Sequence, residues 1–190
     1  MLQAVVTPKP LADERARLLD IIRRKSLLKG QFKLASGAMS TYYLDLKPTT
    51  FDPAGAALLS EIICDMLRDD ADVDSIGGLE LGAVPIVAAV CAYSAQHRPI
   101  QGFVVRKERK GHGTDNRIDG NFRPNTTVVL CEDVTTTGGS VMQAVRAVRD
   151  QGATVKKIIT IVDRLEGATA NLAREGIDLV SIFTTKDLLD

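Results

Sequence analysis

Two spacings of apolar residues run along this chain, and the alternation between them marks out its elements. Over 13–25 (DERARLLDIIRRK), Leu18, Leu19, Ile21 and Ile22 recur at helical spacing, with acids leading and bases trailing, the order that a helix dipole favours. A Gly-containing loop follows, then a short extended run at 41–46. Asp52 is a suitable N-cap, with Pro53 at the first helical position. Leu58, Leu59, Ile62, Ile63, Met66 and Leu67 then form the apolar side of an amphipathic helix. Strands and helices take turns from there. Strand 74–78, helix 85–96 and strand 100–106 precede a long polar loop over 107–125. An apolar strand at 127–131, helix 140–151, strand 157–163, a polar helix at 168–175 and a last strand at 179–184 complete the series. The rhythm predicts an α/β fold, an open and mainly parallel sheet flanked by helices. Ligands of such sheets bind beyond the carboxyl ends of strands, so the residues that end each apolar run are the first candidates.

Composition narrows the classes. The 190 residues are 45% apolar and 25% charged, with no internal repeat and no linker, which predicts one ordered domain. Lys and Arg number 24 and so do Asp and Glu, so the net charge is zero and a general nucleic-acid binder is not expected. No apolar run approaches the ~18 residues of a membrane span, and the opening MLQAVVTPKP has no signal-peptide pattern. Cys64, Cys91 and Cys131 are widely spaced and show no zinc-ligand pattern. They are expected to be buried and reduced, in a cytoplasmic protein.

The strongest chemical signal follows the run at 128–131, in Glu132-Asp133-Val134-Thr135-Thr136-Thr137-Gly138-Gly139-Ser140. Glycines let the backbone turn tightly and bring its N–H groups close to a ligand. Those amides, the hydroxyls and the start of the next helix favour an anion. Glu132 and Asp133 would repel a phosphate but accept hydrogen bonds from sugar hydroxyls, so a phosphate carrying a polyol suits both halves. The segment resembles the 5-phosphoribosyl-1-diphosphate (PRPP) motif of type I phosphoribosyltransferases. The resemblance implies that Glu132 and Asp133 meet the ribose hydroxyls, and that Thr135, Thr136, Thr137, Gly138, Gly139 and Ser140 hold the 5′-phosphate. Neither a Walker loop nor a GxGxxG fingerprint is present.

Two more segments resemble the orotate branch of that family. Arg106-Lys107-Glu108-Arg109-Lys110-Gly111-His112-Gly113 ends a strand and carries four bases and a His in seven positions. A departing diphosphate needs such cations, and a long loop can close over a site. The resemblance implies diphosphate contacts from Arg106, Lys107, Lys110 and His112, with Lys110 foremost and His112 a donor or an acid. It also implies a homodimer, in which the 107–120 loop completes the neighbour's site. The segment from Phe32 to Asp45 matches the family's amino-terminal hood over a pyrimidine, with Ser36, Gly37, Tyr42 and Tyr43 as base contacts. Arg164, at the end of another strand, is implied to read the orotate carboxylate through its planar fork, with Thr136 also at the base.

The resemblance thus implies a type I phosphoribosyltransferase fold, with a hood over 1–45 and a core over 46–190 carrying a mobile 107–120 loop. The activity implied is transfer of phosphoribose from PRPP to orotate. Mg²⁺ would be held by substrate and water, without direct side-chain ligation. A transferase for a purine base, or a non-catalytic PRPP or nucleotide sensor, remains as an alternative. Two departures stand out. Some family members carry Lys where this chain has Ala35, and some carry Lys within 78–85, where this chain has no base and Glu80 faces an expected anion.

Overall fold

The computed structural model describes residues 11–33, 39–108 and 117–190. Its strands are β1 (Leu27–Lys33), β2 (Met39–Leu44), β3 (Ser75–Leu79), β4 (Gln101–Val105), β5 (Ile118–Gly120), β6 (Thr127–Thr135), β7 (Thr154–Asp163) and β8 (Asp178–Thr184). Its helices are α1 (Ala12–Lys25), α2 (Lys47–Thr50), α3 (Pro53–Met66), α4 (Ala83–Ser94), α5 (Gly139–Arg149), α6 (Ala168–Arg174) and α7 (Thr185–Leu189). β1 and β2 form an antiparallel hairpin of their own. The other six strands form one sheet in the order β5-β4-β3-β6-β7-β8, parallel except for the edge strand β5.

Alternation along β6 divides the core. Val129 and Cys131 join residues of α1, α3 and α4 on one face, whereas Val128 and Leu130 join α5 and Leu172 of α6 on the other. Helices therefore cover both faces, which a parallel sheet requires. Asp52 caps α3 as anticipated, with its carboxylate accepting from the amides of Ala54 and Gly55.

The expected elements form, together with two short helices, α2 and α7, that the apolar spacing does not announce, and other differences concern strands and cysteines. Residues 27–33, read as a loop, form β1; six of its seven residues are exposed or half-exposed, so no apolar alternation announces it. β5 interrupts the long polar loop but is only three residues long, too short for any periodicity. β6 runs on through the polar residues to Thr135, because its pairing to β7 continues there. Cys64 and Cys91, expected to be buried like Cys131, are only half-buried; Cys64 lines an open cleft of about 490 Å³ beside Tyr93 and Arg98. All three thiols are free, and burial still pushes Cys64 up to about 11 and raises Cys91 and Cys131.

The sheet order reverses between β3 and β6. β3 pairs with β6 only as far as Gly77 opposite Leu130, whereas β6 stays paired to β7 as far as Thr135 opposite Asp163. A crevice opens at this switch point, where ligands of such sheets bind. Gly78 makes the close approach of the two strands possible, since a Cβ there would lie 2.3 Å from the Cys131 carbonyl oxygen and 2.5 Å from the Ala83 side chain. Gly78→Ala is expected to cost about 1–3 kcal/mol and to lower the melting temperature by roughly 3–10 °C. An unchanged melt would show that β3 and β6 are not locked at this distance.

Candidate active site

The loop leaving β6 is held by its carbonyls. The Thr135 oxygen accepts from the Arg164 amide (2.9 Å), the Thr136 oxygen from the Ala168 amide (3.2 Å) and the Thr137 oxygen from the Asn171 side chain (2.9 Å). Among the described residues, no backbone carbonyl takes the N–H groups of Thr136, Thr137, Gly138 or Gly139. Carbonyls pinned on one side leave amide donors on the other, next to the start of α5. Such an arrangement can seat an anion. Gly138 has φ 85°, a left-handed conformation that glycine adopts without strain, and it turns the chain into α5. The cleft here, about 180 Å³, is lined by Glu132 and by residues 134–141, so Thr135, Thr136, Thr137, Gly138, Gly139 and Ser140 all reach it.

The two carboxylates are set differently. Glu132 is 7% exposed, and its Oε2 is buried without a hydrogen-bond partner. Burial above all, then the charge and hydrogen bond of Asp133, push its carboxyl up to about 8, with Lys107 pulling part of the way back. Asp133 does not line the cleft but lies against the turn after β3, where a Cβ on Gly82 would sit 2.6 Å from its Oδ1. Its Oδ1 accepts from the Val134 amide at 2.8 Å. Thr135 Oγ1 is a second buried polar atom without a partner. Orphaned polar atoms are rare in folded proteins, and two of them at one cleft suit a polar ligand.

The end of β7 supplies the next part. Arg164 is largely buried and lies 5.2 Å from the centre of the Tyr42 ring. Glu166 Oε1 is 2.9 Å from its Nε, close but not aligned as a hydrogen bond. Adjacent strand residues face opposite ways, so Tyr42 turns to Arg164 while Tyr43 is exposed and tilts against Phe32, 5.7 Å between ring centres. The structure therefore brings together Tyr42 and Arg164 but not Tyr43. Ser36 and Gly37 lie outside the described residues.

At the end of β4, Arg106 pairs with Asp119 of β5, and the Lys107 amide donates to Glu80 Oε1 at 2.9 Å. Glu80 is thereby turned to the backbone of the basic segment. Sequence reasoning did not single out Arg117, yet it closes the neck of this loop. Its carbonyl accepts from the Arg106 amide, and its guanidinium donates to the carbonyls of Arg106 (2.8 Å) and Lys107 (3.1 Å) and to Gln143 Oε1 (3.2 Å). Lys110 and His112 lie outside the described residues. Ala168 and Asn171 were also missed, because a pinning amide leaves no sequence signature. Among the described residues, no group of three or more His, Cys, Asp or Glu side chains is placed to hold a metal ion, and no helix is long and apolar enough to cross a membrane.

No protein-family model matches the chain. Individual relatives do. An orotate phosphoribosyltransferase of Rhodopseudomonas palustris is 46% identical over 181 residues, covering 93% of this chain and 96% of that one. One of Methanocaldococcus jannaschii is 41% identical over 177 residues, covering 93% and 97%. Among solved structures, the Mycobacterium tuberculosis orotate phosphoribosyltransferase is 37% identical with a TM-score of 0.82, covering 93% of this chain and 99% of that one. The same enzyme solved in complex with PRPP has a TM-score of 0.77 at 35% identity, covering 92% and 98%. A Trypanosoma brucei adenine phosphoribosyltransferase shares only the fold, with a TM-score of 0.70 at 17% identity. Near-complete coverage at these identities places the chain in the orotate phosphoribosyltransferase family.

Proposed function

We propose that the crevice between β3 and β6 binds PRPP and orotate and transfers phosphoribose to the pyrimidine nitrogen, giving orotidine 5′-monophosphate and diphosphate. The observation that carries this reading is the shared fixture of the two half-sites. The Arg164 amide pins the phosphate loop while the Arg164 side chain, beside Tyr42, faces the place for a base. In this reading the outward amides and hydroxyls of residues 135–140 seat the 5′-phosphate. Glu132 and Asp133 accept from the ribose hydroxyls, and the Arg164 fork takes the orotate carboxylate. Orotate N1 attacks C1′ as the C1′–O bond to diphosphate breaks, and positive charge develops on the ribose ring. Lys107, with Arg106, Lys110 and His112, neutralises the departing diphosphate. The work of the protein is positioning and charge stabilisation.

Mg²⁺ fits this reading as an ion held by substrate phosphates and water, without direct side-chain ligation. When bound, the ion supplies charge neutralisation on the diphosphate. We further read 1–190 as one catalytic unit, with a hood over 1–45 and a core over 46–190. It works as a cytoplasmic homodimer in which the basic segment after β4 completes the neighbour's site.

The test is diphosphate release with PRPP and Mg²⁺, comparing orotate with adenine, hypoxanthine, guanine and uracil. Turnover confined to orotate is expected, with purine rates lower by at least about a thousandfold, since a base lacking the carboxylate gives the Arg164 donors no matching acceptor. A purine as the preferred substrate would overturn the base assignment but keep the PRPP site. Silence with every base would overturn the transferase reading.

A further inference from the structure

The end of β7 is held by two buried side chains that the transfer of phosphoribose does not itself use. Three hydrogen bonds meet around Arg164. Its amide donates to the Thr135 carbonyl (2.9 Å), and its carbonyl accepts from Thr185 Oγ1 (3.3 Å). The amide of the next residue, Leu165, donates to Asp163 Oδ1 (2.9 Å). That bond closes a turn of the kind an Asp side chain makes with a backbone N–H two residues on. Leu165 has φ 59°, a left-handed conformation that a residue other than glycine keeps only when its surroundings hold it there. Its side chain is half-exposed and gains little from burial. The fixture is therefore the backbone bond to Asp163.

Both holding groups are themselves fixed. Asp163 is buried at the last position of β7, in register with Thr135 of β6. Thr185 is buried and opens α7, whose start is closed by a capping box: Thr184 donates from its amide and its hydroxyl to Asp187 Oδ2 (2.6 and 2.8 Å). Leu188 of the same helix packs into the core, and Arg23 of α1 donates to the Asp187 carbonyl. The Arg164 backbone is thus gripped between β6 and the C-terminal helix, and its side chain leaves this frame towards Tyr42. A planar guanidinium that must meet a carboxylate with two parallel bonds tolerates little error in where it starts. We propose that Asp163 and Thr185 are positioning residues for orotate recognition, acting through Arg164, so that α7 sets the aim of the base-reading arginine. The proposal rests on the transferase reading and deepens it at the base end of the crevice.

The experiment follows diphosphate release by the whole chain and measures kcat/KM for orotate beside KM for PRPP. Thr185→Val, which removes the hydroxyl and keeps the shape, is expected to lower kcat/KM for orotate about threefold to tenfold. KM for PRPP is expected to stay within about twofold, because the loop after β6 keeps its fasteners at Ala168 and Asn171. Thr185→Ser retains the hydroxyl and is expected to return to within about twofold of the parent. Asp163→Ala is expected to lose about tenfold or more for orotate, and Asp163→Asn, which retains Oδ1 as an acceptor, to recover most of that. A double-mutant cycle distinguishes aiming from a general structural role. On an Arg164→Ala background, Thr185→Val is expected to cost less than about twofold, since the group it aims is gone. A thermal melt accompanies each variant, and if Asp163→Ala does not fold, the Thr185 variants and the cycle decide. Orotate kinetics in Thr185→Val within twofold of the parent would overturn the proposal. So would an equal loss for both substrates, or an undiminished cost on the Arg164→Ala background. In each of these cases an active parent leaves the transferase reading standing, whereas a parent silent with orotate overturns that reading and the proposal with it.

Discussion

A Glu132→Gln variant is expected to melt higher than the parent at pH 9 while losing about two orders of magnitude in kcat/KM for PRPP. The Glu132 carboxyl is raised from 4.5 in the open chain to about 8 in the fold, by burial first and then by Asp133. Below about pH 4.5 both states carry the proton, and the contribution of the protonated, buried acid is fully present. As pH rises towards 8 the unfolded chain ionises and the folded one does not, so stability falls. Above 8 the folded carboxylate is charged as well, and the whole difference has been lost. That difference is at most about 5 kcal/mol, and relaxation around the site reduces it. Glutamine cannot ionise, so the variant should gain about 2 kcal/mol over the parent at pH 9 and little at pH 5. Thermal unfolding at the two pH values measures this, and parallel melts at both would sink the account.

The activity side of the same variant follows from the ligand. Ribose hydroxyls donating to Glu132 favour its charged form, so PRPP binding at pH 7 should expel close to one proton from the parent and none from the variant. Calorimetry in two buffers of different ionisation heat separates these cases. A residue that the apo fold would keep neutral and the substrate makes charged is destabilising by design, a common trade at functional sites.

Arg164→Ala is expected to lower kcat/KM for orotate by at least about a hundredfold, near 3 kcal/mol for two charge-assisted hydrogen bonds. KM for PRPP should change little, because the backbone amide that pins Thr135 is untouched. Arg164→Lys should recover only a small part, since an ammonium cannot present the parallel donors of a planar guanidinium to a carboxylate. Its packing against Tyr42 is likewise a property of the flat group. Steady-state kinetics at saturating PRPP decide the matter. Full activity in the Lys variant would mean that Arg164 acts as a bare charge or serves Glu166 alone.

Much of this was legible in the chain because it is local. The segment 132–140 holds its acids, hydroxyls, glycines and helix start in one contiguous stretch, and the structure sets them in one cleft or beside it. The α/β rhythm was readable wherever an element buries one face. It failed at β1, whose side chains are mostly exposed, and at β5, which has three residues. Contacts between distant segments left no trace in spacing: Gly82 against Asp133, Arg117 across the neck of the basic loop, and Asn171 on the Thr137 carbonyl. Of the aromatic pair, period-two geometry assigns Tyr42 rather than Tyr43 to Arg164, a distinction that composition alone does not make.

The pinning of the phosphate loop by residues 164, 168 and 171 has a consequence for how such a site diversifies. At positions 164 and 168 the fastening is made by backbone N–H groups, which every residue except proline carries. At 164, where the side chain lies beside Tyr42, the residue can thus vary without removing this fastener. Ala168 is buried and has little latitude, so the environment of the crevice can drift at 164 while the loop after β6 stays fastened. A proline at either place would break that independence, uncoupling nothing chemically yet removing the fastener on which both halves depend.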